Sequence, residues 1–242
     1  MRNESLAPDQ HSTVISKWFE LGPSNKPKLP TLPKIRLPQP ASGQIILITG
    51  PSGSGKSTLL RRFRRRCKIP MINMPRIALS RRAVIDHFRH ITIESALAHL
   101  SRVGLAEAHC YLLPPRHLSD GQRWRVRLAL ALSQHADQCR CLLSDEFTSL
   151  LDSTTACVVA RVLRRAIAAE SDLCAVLACS RSDILRALSP DLIIRCDFGS
   201  LQFWKKTKGE AYVLEGETSQ SSQFHSRPPR PQTRHSRRLQ IP

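Results

Sequence analysis

The run Gly50-Pro51-Ser52-Gly53-Ser54-Gly55-Lys56-Ser57-Thr58 follows directly on the apolar stretch Gln44-Ile45-Ile46-Leu47-Ile48-Thr49, and nothing else in the chain constrains its fold as tightly. An apolar, β-branched run ending in Gly-x-x-x-x-Gly-Lys-Ser reads as a strand that turns through a phosphate loop into a helix. The glycines let successive backbone N–H groups point inward as an anion nest, and the helix presents its positive end to the same phosphates. Lys56 is expected to reach the β- and γ-phosphates and the Ser57 hydroxyl to hold Mg²⁺, with Gly50, Ser52, Gly53, Ser54, Gly55 and Thr58 completing the nucleotide site. The pattern implies binding of a nucleoside triphosphate.

At 242 residues the chain has room for one α/β domain with a full core plus tails. No apolar stretch reaches the roughly 18 to 20 residues that cross a bilayer, and Met1-Arg2-Asn3-Glu4-Ser5 lacks the apolar core of a secretory signal. The expected location is cytoplasmic. Of the eight cysteines, Cys141, Cys157, Cys174, Cys179 and Cys196 lie in apolar runs and read as reduced core thiols. The pairs Cys139/Cys141 and His87/His90 lack a second pair at zinc spacing, so no zinc site is expected there. The formal charge of +18, from 37 Lys and Arg against 19 Asp and Glu, favours polyanionic partners, nucleic acid or ribosome ahead of a membrane surface.

Residues 1–43 form a Pro-rich extension. It holds a short amphipathic piece, Val14 to Leu21, and then Pro23, Pro27, Pro30, Pro33, Pro38 and Pro40, a spacing that forbids regular helix. The ATPase domain is expected over residues 44–214, with a helical insert at about 83–117 where Ala96, Leu97, Leu100, Val103 and Leu105 recur at helical spacing. After the basic helix from Thr58 to Cys67, helices are expected through Leu132, over Thr154 to Ala169 and over Asp183 to Leu188, and strands over Cys141 to Ser144, Leu173 to Cys179 and Leu192 to Cys196. This β/α alternation implies an α/β fold of the P-loop NTPase kind, a mostly parallel sheet with flanking helices. Residues 215–242 are expected to be a disordered basic tail, carrying Arg227, Arg230, Arg234, Arg237 and Arg238.

A metal-bound triphosphate needs a carboxylate beyond the Ser57 hydroxyl. Asp145, closing the apolar run Cys141-Leu142-Leu143-Ser144, suits the metal, and Glu146 beside it suits the attacking water as general base.

With Leu118-Ser119-Asp120-Gly121-Gln122 between those two motifs and Ser149-Leu150-Leu151-Asp152 after them, the chain over residues 44–200 resembles the ATP-binding-cassette (ABC) ATPases. The resemblance implies an ATP hydrolase using ATP and Mg²⁺ whose two domains, here a homodimer, sandwich two nucleotides head to tail. Ser119, Gly121 and Gln122 would then serve the partner's nucleotide, and Asp152 would stand at the dimer interface. The chain departs from the family pattern by placing Asp120 where the family signature has glycine. It has no glutamine between Gln44 and Gln122, leaving Asp86 as the candidate substitute at the metal. Ser180 or Arg181 stands where the family has a switch histidine, which implies that hydrolysis is slow or relies on Arg181. Trp18 and Phe19 are expected to anchor the N-terminal segment through apolar contact, with stacking on the adenine as the alternative. The charge, the tail and the missing glutamine loop favour a soluble, non-transport ATPase acting on nucleic acid, ribosome or a protein partner. The alternative is the ATP-binding subunit of a membrane transporter, with a membrane permease as its partner; a nucleotide-binding switch without turnover is the third reading.

Overall fold

Alternation along one short strand divides the core in two. In β1 (Ile45–Thr49) Ile45 and Leu47 join one apolar cluster, Ile46 and Ile48 another on the opposite face, as the two-residue period of a strand requires. The computed structural model describes residues 13–14, 17–18, 32–33, 35–134, 139–170, 172–207 and 211–219. The chain divides into two units, residues 1–30 and 31–242; in the first, residues 13–14 and 17–18 are helical.

In the second unit β1 is followed by α1 (Lys56–Arg66), β2 (Met71–Asn73), and an insert of two helices, α2 (Ile93–Arg102) and α3 (Ala108–Leu112), with 3₁₀ turns at Val84–Phe88 and Pro115–His117. Then come α4 (Asp120–Ser133), β3 (Arg140–Ser144), α5 (Ser153–Ala169), β4 (Leu173–Ala178), α6 (Leu185–Leu188), β5 (Leu192–Asp197), β6 (Ser200–Lys206) and β7 (Tyr212–Ser219). The seven strands form one sheet in the order β2-β3-β4-β1-β5-β6-β7. The first five are parallel, and β6 and β7 extend the sheet antiparallel. The fold is therefore a mostly parallel α/β sheet with flanking helices. The central strands are covered on both faces and read in sequence as unbroken apolar runs.

One face packs against α4 and α5 through Trp124, Val126, Leu128, Val159 and Leu163; the other packs against α1 through Leu59, Leu60 and Phe63. The hairpin β5–β6 turns on Phe198 and Gly199, both with positive φ, the backbone twist that tight hairpins favour. β5 was expected from its apolar run, whereas β6, β7 and short β2 were not anticipated: β6 and β7 carry Lys, Gln and Glu and lack a continuous apolar run.

Two boundaries also differ. The Pro-rich segment over 35–40, with Leu32 and Pro33, lies on the body along α1, because Arg62 donates to the carbonyls of Leu32 and Pro33 at 3.0 and 2.7 Å and Arg66 to that of Ile35 at 3.1 Å. Leu32 and Leu37 are buried there. At the other end β7 runs to Ser219, past the expected start of the tail at 215, because Gln202 to Ser200 of β6 pair with Glu217 to Ser219. Residues 220–242, including the five tail arginines, lie outside the described residues.

Phe147, just past β3, is fully buried and meets Trp124 of α4 edge to face, with centroids 5.4 Å apart at 63°. Phe147→Ala should destabilise the fold by about 3 to 5 kcal/mol, since the cavity lies where two helices and the sheet meet. Denaturant titration of both proteins measures it, and a loss under about 1 kcal/mol would show that Trp124 collapses into the space.

Candidate functional site

The loop after β1 is shaped by backbone that only glycine tolerates. Gly50 has φ 141°, and a Cβ there would stand 2.1 Å from the Cys196 carbonyl oxygen of β5. Gly53 and Gly55 also have positive φ; Gly55 caps α1 from the left-handed region, and Leu32 packs against its Cα. The first turn of α1 carries no acidic residue, so its N-terminal charge is unopposed from within the helix. Lys56 Nζ donates to the carbonyls of Gly50 and Pro51, both at 2.8 Å, which holds the ammonium inside the loop. Ser54 Oγ is buried with no hydrogen-bond partner among the described residues.

The carboxylates arrive from β3. Since β4 lies between β1 and β3, the carboxyl ends of three adjacent strands open side by side. Cys179 N–H donates to the Ile48 carbonyl at 2.9 Å and Phe147 N–H to the Ala178 carbonyl at 2.8 Å, which ties the three ends together. A cleft of about 400 Å³ results, lined by Ser52, Gly53, Gly55, Lys56, Ser57 and Thr58 from one side and by Asp145, Glu146, Ser180 and Arg181 from the other. Gly50 and Ser54 support the loop from behind. Glu146 is exposed and has φ 50°, a conformation that costs a non-glycine residue about 1 kcal/mol or more and turns the chain immediately after Asp145.

Ser119, Gly121 and Gln122 lie elsewhere, at the start of α4, and line no part of this cleft. Ser119 and Gln122 form a reciprocal cap: Gln122 N–H donates to Ser119 Oγ at 3.2 Å, and Ser119 N–H to Gln122 Oε1 at 2.9 Å. The Ser119 hydroxyl proton stays available to an anion. A Cβ on Gly121 would come within 3.0 Å of the Leu150 carbonyl oxygen and 3.2 Å of Leu151 Cδ2, so this glycine also permits close packing inside its own chain. Asp120 is held by Arg123, which also donates to the Leu118 carbonyl. Asp152 caps α5, accepting from Thr155 N–H at 2.9 Å, and the Thr155 hydroxyl together with that N–H holds its carboxyl below the usual carboxylate range. Asp86 sits in the 3₁₀ turn beside Arg89, 3.7 Å away, and is not among the cleft's lining residues. Trp18 belongs to the N-terminal unit and Phe19 is outside the described residues.

No family model matches the chain. The lipoprotein-releasing system ATP-binding protein LolD of Maricaulis maris is 32% identical over 168 residues, covering 54% of this chain and 71% of the relative. The glutamate transport ATP-binding protein GluA of Corynebacterium efficiens is 32% identical over 181 residues, covering 58% and 68%. The chain belongs to the ABC ATPase family. The methionine import ATP-binding protein MetN 2 of Salmonella typhi is 30% identical over 186 residues, covering 61% of this chain and 53% of the relative. Among solved structures, the dimeric bacterial ABC transporter cassette MJ0796 superposes with a TM-score of 0.53 at 22% identity, over 78% of this chain and 90% of that one. cbiO1 from Clostridium perfringens gives 0.51 at 22%, over 69% and 78%. Both show the fold.

Against the ABC pattern, the end of β4 is where this chain is distinctive. Ser180 is exposed at the cleft. The Arg181 side chain instead makes two bonds to Asp183, Nε to Oδ1 at 3.0 Å and Nη2 to Oδ2 at 2.6 Å, and donates to the Leu151 carbonyl at 2.6 Å. Ser153 Oγ donates to the same Asp183 at 2.6 Å. Arg181 thus fastens β4 to the segment before α5. Sequence reasoning missed Phe198: its ring lies beside Gly53, 3.9 Å from where a Cβ would stand, and is 56% exposed. The signal for it was an aromatic residue next to glycine at a strand end.

The Arg181 guanidinium and the Ser153 hydroxyl hold the Asp183 carboxyl well below the usual carboxylate range. An unfolded Asp titrates at about 3.9, so on acidification the unfolded chain takes up this proton first. The pair's contribution is complete above about pH 4 and is lost as pH falls through the depressed folded value. Asp183→Asn should lower stability at neutral pH by at most about 1 kcal/mol after solvent screening. The gap to wild type should shrink below about pH 4; urea unfolding at both pH values measures it, and a gap that widened in acid would contradict the assignment.

Proposed function

We propose that this chain is the ATP-binding subunit of an ABC transporter, a homodimer that binds and slowly hydrolyses ATP at the cytoplasmic face of a membrane. The observation that carries ATP binding is the single cleft that gathers the phosphate loop, Lys56, Asp145 and Glu146. The relatives favour transport over the non-transport role: their names describe import, transport or lipoprotein-releasing ATP-binding proteins. No helix among the described residues is long and apolar enough to cross a membrane, so a separate permease would supply the span. The charge of +18 is the observation behind the nucleic-acid or ribosome reading, and it suits an anionic leaflet as well.

In this reading the loop's N–H groups and Lys56 hold the β- and γ-phosphates. The hydroxyl of Ser57 and the carboxylate of Asp145 are oxygen donors of the kind that would hold Mg²⁺, which when bound would supply charge neutralisation at the phosphate oxygens. Asp86 is outside that set. Glu146 orients the water and accepts its proton. Ser119, Gly121 and Gln122, remote from their own chain's cleft, act on the nucleotide of the second copy, with Asp152 near the interface. Asp120 adds a negative charge at that helix start, and Arg123 offsets it. Ser180 contributes a hydroxyl where an imidazole would hold the γ-phosphate, and the ion-paired Arg181 positions the segment before α5; both features slow turnover. Phe198, beside the loop, takes the adenine.

Glu146→Gln should keep ATP affinity while turnover falls by at least about a hundredfold, and the variant should accumulate as an ATP-bound dimer on size exclusion. A monomer under saturating ATP would contradict the head-to-tail arrangement. The same variant, purified from detergent-solubilised membranes with ATP present, should bring a multi-spanning membrane protein with it; recovery of ribosomes or nucleic acid instead would overturn the transport reading. Phe198→Ala should weaken ATP binding by about 1 kcal/mol or more, a factor of about five. Equal affinity in wild type and variant would remove Phe198 from the base site.

A further inference from the structure

Glu107, His109 and Cys110, at the start of α3 in the helical insert, turn one ligand atom each toward a common point. Cys110 Sγ is 3.4 Å from Glu107 Oε2 and 3.5 Å from His109 Nε2, and His109 Nε2 is 3.6 Å from Glu107 Oε2. Zinc bonds of about 2.0 to 2.3 Å at tetrahedral angles separate neighbouring ligand atoms by about 3.3 to 3.6 Å. The three side chains therefore already outline one face of a tetrahedron.

We propose that this triad is a binding site for a borderline divalent transition metal of the Zn²⁺ class. The donor set decides the class: a thiolate and an imidazole select Zn²⁺ and its neighbours over Mg²⁺ or Ca²⁺. A thiolate and a carboxylate together neutralise a dication. The local structure supports the convergence. Glu107 is the extended residue before α3, with φ −85° and ψ 111°, so its side chain folds back beside the first helical turn. Cys110 is 2% exposed, whereas the Glu107 and His109 side chains are 62% and 70% exposed, so the sulfur is anchored and the remaining coordination position faces water. Gln122 Nε2 donates to Cys110 Sγ at 3.5 Å, the outer-partner contact that orients a ligating sulfur. Burial and the adjacent Glu107 push the Cys110 thiol up, with the nearby Arg125 opposing them, so the metal itself displaces the thiol proton on binding. None of Glu107, His109 and Cys110 lines the nucleotide cleft, and metal binding without nucleotide tests them independently of the transport reading.

The test titrates Co²⁺ into the reduced, metal-free full chain without nucleotide. Wild type should show the intense visible bands of tetrahedral cobalt and a thiolate-to-cobalt charge-transfer band, both erased by Zn²⁺. Cys110→Ser should lose the charge-transfer band belonging to this site while keeping the other seven cysteines. His109→Ala, at an exposed position that folding does not need, should weaken Co²⁺ affinity by more than about tenfold. Spectra and affinities identical in wild type and His109→Ala would overturn the proposal.

Discussion

The parallel pairing of β1 with β4 on one side and β5 on the other is the constraint on which the rest of the molecule depends. It places the phosphate loop between two neighbours, and both act on it. Cys196 of β5 comes so close to Gly50 that no side chain fits, and Cys179 at the end of β4 bonds back to Ile48. Because β4 separates β1 from β3, the acids Asp145 and Glu146 stand one strand away from the loop. That strand's width leaves the cleft in which Ser180 sits. Asp191 secures the other end of these strands, accepting from Ile45 N–H at 2.8 Å and from Arg164 at 2.9 Å.

Each chemical element of the cleft is then buttressed by packing that has no chemistry of its own. Phe147 and Trp124 join the turn after Glu146 to α4, and Gly121 of α4 lies against the backbone of Leu150. Arg181 reaches the adjacent Leu151 carbonyl and, through Asp183, Ser153. The start of α4, the segment before α5 and the end of β4 thus form one connected assembly. On the opposite face the Pro-rich segment covers α1, so the basic helix spends Arg62 and Arg66 on carbonyls within the chain. Part of the large positive charge is therefore structural, which weakens charge alone as an argument for a nucleic-acid partner.

The insert shows how one segment can hold two kinds of information. Its apolar positions, Ala96, Leu100, Val103 and Leu105, are core residues at helical spacing. Its polar residues Glu107 and His109 face solvent beside the buried Cys110, and Gln122 links that cluster to the Ser119 cap.

What the sequence determined by itself is what depends on neighbours along the chain: the strand–loop–helix around Lys56, the apolar strands, the helical spacing of the insert, and the order of motifs that marks an ABC ATPase. These are local because glycine torsions, side-chain periodicity and capping act within a few residues. Only the tertiary structure decided which distant groups meet. It put Asp86 beside Arg89 and away from the cleft, engaged Arg181 with Asp183, brought Phe198 next to Gly53, and paired Gln202 with Glu217 so that β7 continued to Ser219. It also drew Leu32 onto Gly55 and gathered Glu107, His109 and Cys110 at tetrahedral separation. The contacts of Phe198, β7 and Leu32 turn on strand order and hairpin register, which long-range packing sets, whereas Asp86 with Arg89, Arg181 with Asp183 and the Glu107 cluster join near neighbours through turns that the residue pattern alone does not display.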